Sequence, residues 1–381
     1  MRDAFEARFE RPAEVVTRAP GRVNLIGEHV DYNDGYVLPM ALEQCTWVAA
    51  ARRSDGRVRI FSENLGESAD WRVSDWARDT QPHWTSYVAG VAALLRERGA
   101  PFDGADFLIR SDVPVGAGLS SSAALEIAAA LACVRLSGEA LMSTELADLC
   151  RAAEHQYAGV PCGIMDQYAS MLAKADTALL LDCRARTFEH IPLPLDGHTV
   201  LIVDSGVRHE LAAGEYAQRL DDCARATAYF RKLNPRVRAL RDVSIETVRA
   251  HALQMPPVEA ARSLHVVGEI RRTLAAAELL RRGVLDGLGA LLAESHRSLR
   301  DDFEVSCPEV DRLVALVSGV EGVLGARMTG AGFGGCVVAI ARQDATPRVA
   351  DALRRDYDRH HATPATLHSS RPGAGAAVVF G

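Results

Sequence analysis

Between Ala123 and Val134 the chain carries one charge, Glu126, in twelve residues. A helix that is apolar nearly all round is a buried helix, so the core of this chain must be assembled around it. Its entrance is equally constrained. Residues 114–126 read PVGAGLSSSAALE, which sets Gly116 and Gly118 and then Ser120, Ser121 and Ser122 before the apolar run. Glycines let a backbone approach a ligand closely. Unpaired N–H groups and the helix dipole at the start of a helix favour anions, phosphate above all. The serine hydroxyls add donors, and one of them can reach a metal ion. The other reading is a capped core helix with a flexible entrance.

This loop is not a Walker A motif, which needs a lysine. The chain has only Lys174 and Lys232 among 43 basic residues, so any chemistry requiring a lysine must use one of these two. Charge excludes other classes. The net charge of −7 and the lack of a basic run give no field for gripping nucleic acid. No window approaches 18 apolar residues without charge, so no membrane-spanning helix is expected. Met1 to Pro12 is charged and lacks the apolar core of a signal peptide, which predicts a soluble cytoplasmic protein. The eight cysteines are scattered without a CxxC pair and read as reduced thiols, mostly in the core. No histidine sits at zinc-ligand spacing.

With 381 residues, two domains are expected. Strand signals lie at Val15–Thr17 and Val23–Ile26, flanking a Pro-Gly turn, and at Cys45–Ala51, Val58–Phe61, Phe107–Arg110, Thr177–Asp182 and Val200–Val203. Helices are expected at Thr85–Glu97, Ala123–Val134 and Thr144–Tyr157. Long amphipathic helices then follow at Leu211–Lys232, Leu264–Arg282 and Val284–Arg297, with a surface helix at Arg348–Arg359. Pro364–Ala376 reads as loop and Ala377–Phe380 as a last strand, which either stays with the second half or returns to the first. The fold class is α+β, with a strand-rich domain at 1–195, a helix-rich domain at 196–381 and a seam near Pro192–Asp196.

Two more segments stand out. Residues 327–336, RMTGAGFGGC, satisfy GxGxxG at Gly330, Gly332 and Gly335. A dinucleotide fingerprint requires a helix next, whereas Cys336–Ile340 is a β run, so a nicotinamide-cofactor oxidoreductase is disfavoured. The segment is either a tight inter-strand turn or a loop packed beneath the serine loop. Residues 19–33, APGRVNLIGEHVDYN, offer Arg22, Asn24, Glu28, His29 and Asp31 within a short loop. Carboxylates with a histidine and an amide suit a polyhydroxylated ligand such as a sugar, and a salt-bridged surface turn is the alternative.

Together the three segments resemble those of the GHMP small-molecule kinases. Further stretches are similar to galactokinases: Ala153–His155, Cys162–Tyr168, Val207–Leu211 with Glu215-Tyr216, and Ser298–Pro308. The matches run in order from residue 19 to about 341. The resemblance implies a two-domain fold with the site in the cleft between domains, and ATP-dependent phosphorylation of D-galactose at C1. It implies Asp166 as the base, with Arg22 beside it. Glu28, His29, Asp31, Gly163 and Tyr216 match sugar-holding positions. Gly116 to Ser122 match the ATP phosphate loop, Ser122 and Glu154 the Mg2+ site, and Trp84 and Tyr87 the adenine region, with a core aromatic pair as the equal alternative. Arg208 and His209 are candidate charges near the site. Asp301 and Asp302 suit a helix cap or loop tether better than a metal pair.

Two positions depart from the galactokinase pattern. Val30 stands where threonine is usual and puts sugar scope in doubt, and Leu220 replaces a common arginine. The competing functions are a sister 1-kinase acting on N-acetylgalactosamine, L-arabinose or a uronic acid, and a non-catalytic sensor of sugar and ATP.

Overall fold

The computed structural model describes residues 1–76, 81–208, 212–361 and 363–381. The apolar run forms the helix Ser121–Ser137, with Glu126, Ile127, Ala130 and Cys133 fully buried and Gly138 closing it in the left-handed conformation. It packs on the strands Val15–Asn24 and Pro39–Arg52. The Thr17 hydroxyl ties the layers by donating to the Ala128 carbonyl at 2.7 Å. Burying a side chain such as Ile127 stabilises the fold by roughly 1.5–3 kcal/mol.

The sheet beneath this helix has six strands, in the order Ala377–Phe380, Val15–Asn24, Pro39–Arg52, Ala105–Ser111, Arg57–Ser62 and Glu67–Arg72. All neighbours are antiparallel except Arg57–Ser62 with Ala105–Ser111. The last strand of the chain therefore returns to pair with the first. The expected Pro-Gly turn is absent: Val15–Asn24 is one strand whose register shifts between Pro20 and Arg22. Proline cannot donate to the ladder, and the break is taken up as an irregularity within the strand. A Cβ on Gly21 would lie 2.7 Å from the Leu119 carbonyl oxygen, so the strand and the serine loop meet there.

The second sheet is antiparallel, in the order Val323–Thr329, Gly334–Arg342, His198–Arg208 and Thr366–Ser370. The last of these falls within the stretch Pro364–Ala376 expected to be loop, of which 371–376 remains without regular structure. Its residues, Thr-Leu-His-Ser-Ser, lack apolar alternation, so the strand is formed by pairing with its neighbour rather than by local pattern. A small sheet of Tyr36–Val37, Thr177–Asp182 and Thr187–Pro192 completes the β-structure among the described residues. The long helices are Ala212–Leu233, Pro257–Arg281 and Leu288–Asp301. The last begins later than the pattern suggested, because Gly287 breaks the backbone at φ 86°. The Arg348–Arg359 expectation resolves into the helix Thr346–Ala352 followed by a wider π turn at Leu353–Tyr357. The helix Ser143–Ala153 likewise opens into a π turn, Glu154–Ala158, a form of helix frequent at functional sites. All eight cysteines are free thiols. Among the described residues no helix is long and apolar enough to cross a membrane.

Candidate active site

A cleft of about 900 Å³ opens over the start of the Ser121–Ser137 helix. Its walls include Arg22, Glu28, His29, Asp31 and Tyr32, Gly116, Gly118 and the three serines, Glu154, Gly163 and Asp166. The C-terminal half adds Tyr216, Ala217, Gly330 and Ala331. The structure thus brings together residues from all three segments that stood out in the sequence.

The serine loop is shaped by left-handed residues, Gly116 at φ 72°, Gly118 at φ 78° and Ser120 at φ 57°. Ser120 precedes the first helical residue, Ser121. The free N–H groups of the first helical turn therefore face the cleft mouth, where an anion is favoured. The loop 330–335 packs against this turn: a Cβ on Gly330 would stand 3.2 Å from the Gly118 carbonyl oxygen. The second glycine segment supports the first and leads into a strand, as its β run required.

Asp166 lies in the first turn of the helix Met165–Leu172. The Arg22 guanidinium holds it in a fork, with Nε donating to Oδ1 and Nη2 to Oδ2, each at 2.9 Å. Arg22 Nη1 also donates to the Gly118 carbonyl at 2.6 Å. Ser120 Oγ donates to Asp166 Oδ2. Bidentate charge-assisted pairs of this kind fix position as well as charge. Asp166 keeps 24% of its side chain exposed, against 6% for Arg22, so the carboxylate reaches the cleft while its partner lies behind it.

The sugar-holding candidates surround this pair. Asp31 is pushed up to about 6, chiefly by burial and then by the nearby Asp166 carboxylate. Gly163 permits its position: a Cβ there would lie 1.6 Å from Asp31 Oδ2. His29 is lowered to about 4 by burial and is therefore neutral near pH 7. Its Nε2 faces the Ala331 carbonyl at 3.1 Å and its Nδ1 faces the Tyr32 hydroxyl at 2.8 Å. A carbonyl only accepts, so Nε2 carries the proton and Nδ1 accepts from tyrosine. His29 thus joins the loop to Ala331, and its ring lies 5.7 Å from that of Tyr216 and 4.8 Å from that of Phe303. Glu28 Oε1 accepts from Arg327 Nη2, Thr329 Oγ1 and the Gly330 amide at 3.1, 2.9 and 2.8 Å. Both of these residues therefore knit their loop to the second glycine segment as well as lining the cleft.

Glu154, at the start of the π turn, is raised by burial and by Asp166, and it hydrogen-bonds with the Ser122 side chain. Behind it lies the one charge of the Ala123–Val134 run, Glu126, held well above the usual carboxylate range by burial and by Glu154. Trp84 and Tyr87 both line the cleft, and Trp84 Nε1 donates to Glu67 at 2.8 Å.

Other expectations resolve differently. Val30 is fully buried in the core and does not line the cleft. Asp301 pairs with Arg300. Asp302 accepts from the Ser298 hydroxyl while its carbonyl accepts from Arg262 and so ties the helix end to a neighbouring helix. His209, with the Glu210-Leu211 part of its stretch, lies outside the described residues, as does the Arg208 side chain.

The support of the loop carrying Glu28 and His29 was not visible in the sequence. Arg327 is fully buried and donates to the carbonyls of Asn24, Leu25 and Met328 as well as to Glu28. Glu269 is lowered to about 2: Arg272 and further charges outweigh its burial. It accepts from the Gly27 amide at 3.0 Å and the Ser295 hydroxyl at 2.7 Å. His265, four residues earlier on the same helix, faces the Glu28 carbonyl at 3.1 Å. The one sequence signal was that a Glu and a His share a face of a long helix.

The chain matches three family models, the galactokinase galactose-binding signature at residues 3–52, the GHMP kinase N-terminal domain at 86–174 and the GHMP kinase C-terminal domain at 276–359. It is 44% identical over 377 residues to a galactokinase of Chloroflexus aggregans, covering 99% of this chain and 96% of that one. This chain belongs to the galactokinase family. A human galactokinase is 42% identical over 385 residues, covering 99% and 95% of the two chains. Among solved structures, Lactococcus lactis galactokinase complexed with galactose superposes with a TM-score of 0.93 at 32% identity, covering 99% of this chain and 98% of that one. A Methanococcus jannaschii mevalonate kinase at 17% identity and TM-score 0.64, covering 95% and 99% of the two chains, shares the fold. The galactokinase signature model takes in Arg22, Glu28, His29 and Asp31, and the N-terminal kinase model spans the serine loop, Glu154 and Asp166.

Proposed function

We propose that the chain transfers the γ-phosphoryl group of ATP to the C1 hydroxyl of D-galactose, giving α-D-galactose 1-phosphate and ADP. The observation that carries this reading is the Arg22–Asp166 fork, set between a phosphate-favouring helix start and a loop of carboxylates. Asp166 accepts the C1 hydroxyl proton as the sugar oxygen forms its bond to phosphorus and the bond from phosphorus to ADP breaks. A positioned general base contributes about 10²- to 10⁴-fold. Most of the remaining acceleration in phosphoryl transfer comes from positioning and charge stabilisation.

Asp31, held beside Gly163, and Tyr216 take the sugar hydroxyls, with Glu28 and His29 fixing the loop that carries Asp31. The serine loop, Gly116 to Ser122, takes the phosphates, and Trp84 and Tyr87 take the adenine. A divalent cation, Mg2+, supplies neutralisation of the phosphate charge when bound. The hydroxyl of Ser122 and the carboxylate of Glu154 are the hard oxygen donors that such an ion takes alongside substrate phosphates. The division of labour follows the two halves, 1–195 for nucleotide and sugar and 196–381 closing the cleft through Tyr216 and the loop 330–335.

The test is ADP release by the purified chain with galactose, N-acetylgalactosamine, L-arabinose and galacturonic acid, with product identity read by phosphorus NMR. Galactose 1-phosphate as the dominant product is expected. Preference for another of these sugars would replace the substrate, and stoichiometric binding without ADP release would replace the enzyme by a sensor.

A further inference from the structure

Glu126 poses a problem that the phosphate loop does not solve. It is fully buried within the otherwise apolar run Ala123–Val134 of its helix, four residues after Ser122 and so one turn deeper on the same side. A carboxyl group so placed is costly unless it is hydrogen-bonded, and a core position has no need of it. Gln167 Nε2 donates to its Oε2 at 3.1 Å. Its Oε1 has no hydrogen-bond partner among the described residues, and neither has Gln167 Oε1.

Gln167 is itself fully buried and follows Asp166 directly on the helix Met165–Leu172. Successive helical residues are turned by about 100°, so Asp166 faces Arg22 while Gln167 faces the back of the cleft wall. The same Nε2 donates to Glu154 Oε2 at 2.6 Å, so the two N–H groups of one primary amide are divided between two carboxyl groups. Cys162 Sγ lies 3.2 Å from that same oxygen of Glu154. Donors from behind thus hold the carboxylate whose other neighbours are Ser122 and the cleft.

We propose that Gln167 is a positioning residue for Glu154, anchored in turn by Glu126, so that this buried amide clamp sets how the site takes a divalent cation with its nucleotide. The proposal rests on the assignment of Ser122 and Glu154 to the cation. Groups that orient a ligand from behind are commonly worth about 10- to 100-fold in metal affinity. The clamp joins the phosphate helix to the helix of Asp166, and it touches neither Asp31 nor Tyr216. Its effect therefore belongs to the cation and nucleotide and not to the sugar.

The test uses the full chain and two readouts: Mn2+ binding in the presence of ADP by electron paramagnetic resonance, and galactose binding by calorimetry. Gln167→Leu, which keeps volume and removes both N–H groups, is expected to weaken Mn2+ binding about tenfold or more, with galactose affinity within about twofold of wild type. Glu126→Gln keeps an oxygen for the Gln167 amide and is expected to match wild type, whereas Glu126→Leu is expected to weaken Mn2+ binding in the direction of Gln167→Leu. If Gln167→Leu does not fold, the two Glu126 variants decide the question. Wild-type Mn2+ binding in Gln167→Leu or in Glu126→Leu, or a parallel loss of galactose affinity, would overturn the clamp. If Glu154→Gln leaves Mn2+ binding unchanged while Gln167→Leu changes it, the cation assignment fails and the clamp on Glu154 fails with it. An absence of galactose phosphorylation with Mn2+ binding altered as expected would instead remove the sugar substrate alone.

Discussion

Arg22 and Asp166 meet in two parallel hydrogen bonds of 2.9 Å across 144 residues of sequence. The third arm of the guanidinium reaches Gly118 of the serine loop, so one arginine fixes the distance between a carboxylate and a phosphate-favouring turn. That arrangement explains how a chain with two lysines can handle a nucleotide. Backbone N–H groups, serines and a buried arginine stand in the cleft, and neither Lys174 nor Lys232 lines it.

Replacing both lysines by arginine is therefore expected to leave kcat and the KM for ATP within about twofold of wild type, as for surface changes away from a site. Steady-state kinetics of the double variant check this, and a collapse of kcat with the fold preserved by circular dichroism would reveal a lysine contact to phosphate.

Gly163→Ala sets a methyl group 1.6 Å from the present place of Asp31 Oδ2. The carboxyl is the end of a side chain and can turn away, so the loss falls on sugar contact rather than on folding. Losing a hydrogen bond to a charged group costs about 1.5–3 kcal/mol, or roughly 10- to 100-fold in affinity. Calorimetry with galactose is expected to show that loss while the Tm moves little.

Asp31 also carries a pH signature. Its value of about 6 lies above the ordinary 3.8 because the folded site disfavours the charged form. Below about pH 6 the group is protonated in the free enzyme, and above it the carboxylate is available to accept from sugar hydroxyls. The ratio kcat/KM for galactose is expected to rise with pH through about 6, and Asp31→Asn is expected to lower it and to remove that limb. A limb near 6 that survives in Asp31→Asn would belong to another group.

Arg327 and Glu28 form a pair in which both side chains are buried. Removing one partner of such a pair leaves an uncompensated charge and costs about 3–5 kcal/mol. Arg327→Met is expected to lower the urea midpoint correspondingly and to loosen the sugar loop. A midpoint equal to wild type would mean that the loop is held without it.

The sequence made the core legible at Ala123–Val134 because an apolar run can be read without knowing its partners. It made the cleft legible wherever chemistry required unusual residues close together, as at Arg22, Glu28, Asp31 and the serines. It failed where structure depends on distant pairing. The strand Thr366–Ser370 has no alternation of its own, and Pro20-Gly21 resembles a turn although it lies within a strand. Val30 stood beside Asp31 in the sequence but points into the core, since neighbours in a tight loop face opposite ways. Glu269 and His265 support the loop at Gly27 and Glu28 from a helix more than 230 residues away, and their shared helix face does not say which loop they hold.

The central claim is that Asp166 takes the proton from the sugar hydroxyl while Arg22 holds it in place. Asp166→Asn keeps the shape of the side chain and removes its capacity as a base. Measured with saturating ATP and galactose, the variant is expected to lose about 10²-fold or more in kcat, with galactose binding by calorimetry largely retained. A kcat near wild type in Asp166→Asn would contradict the claim.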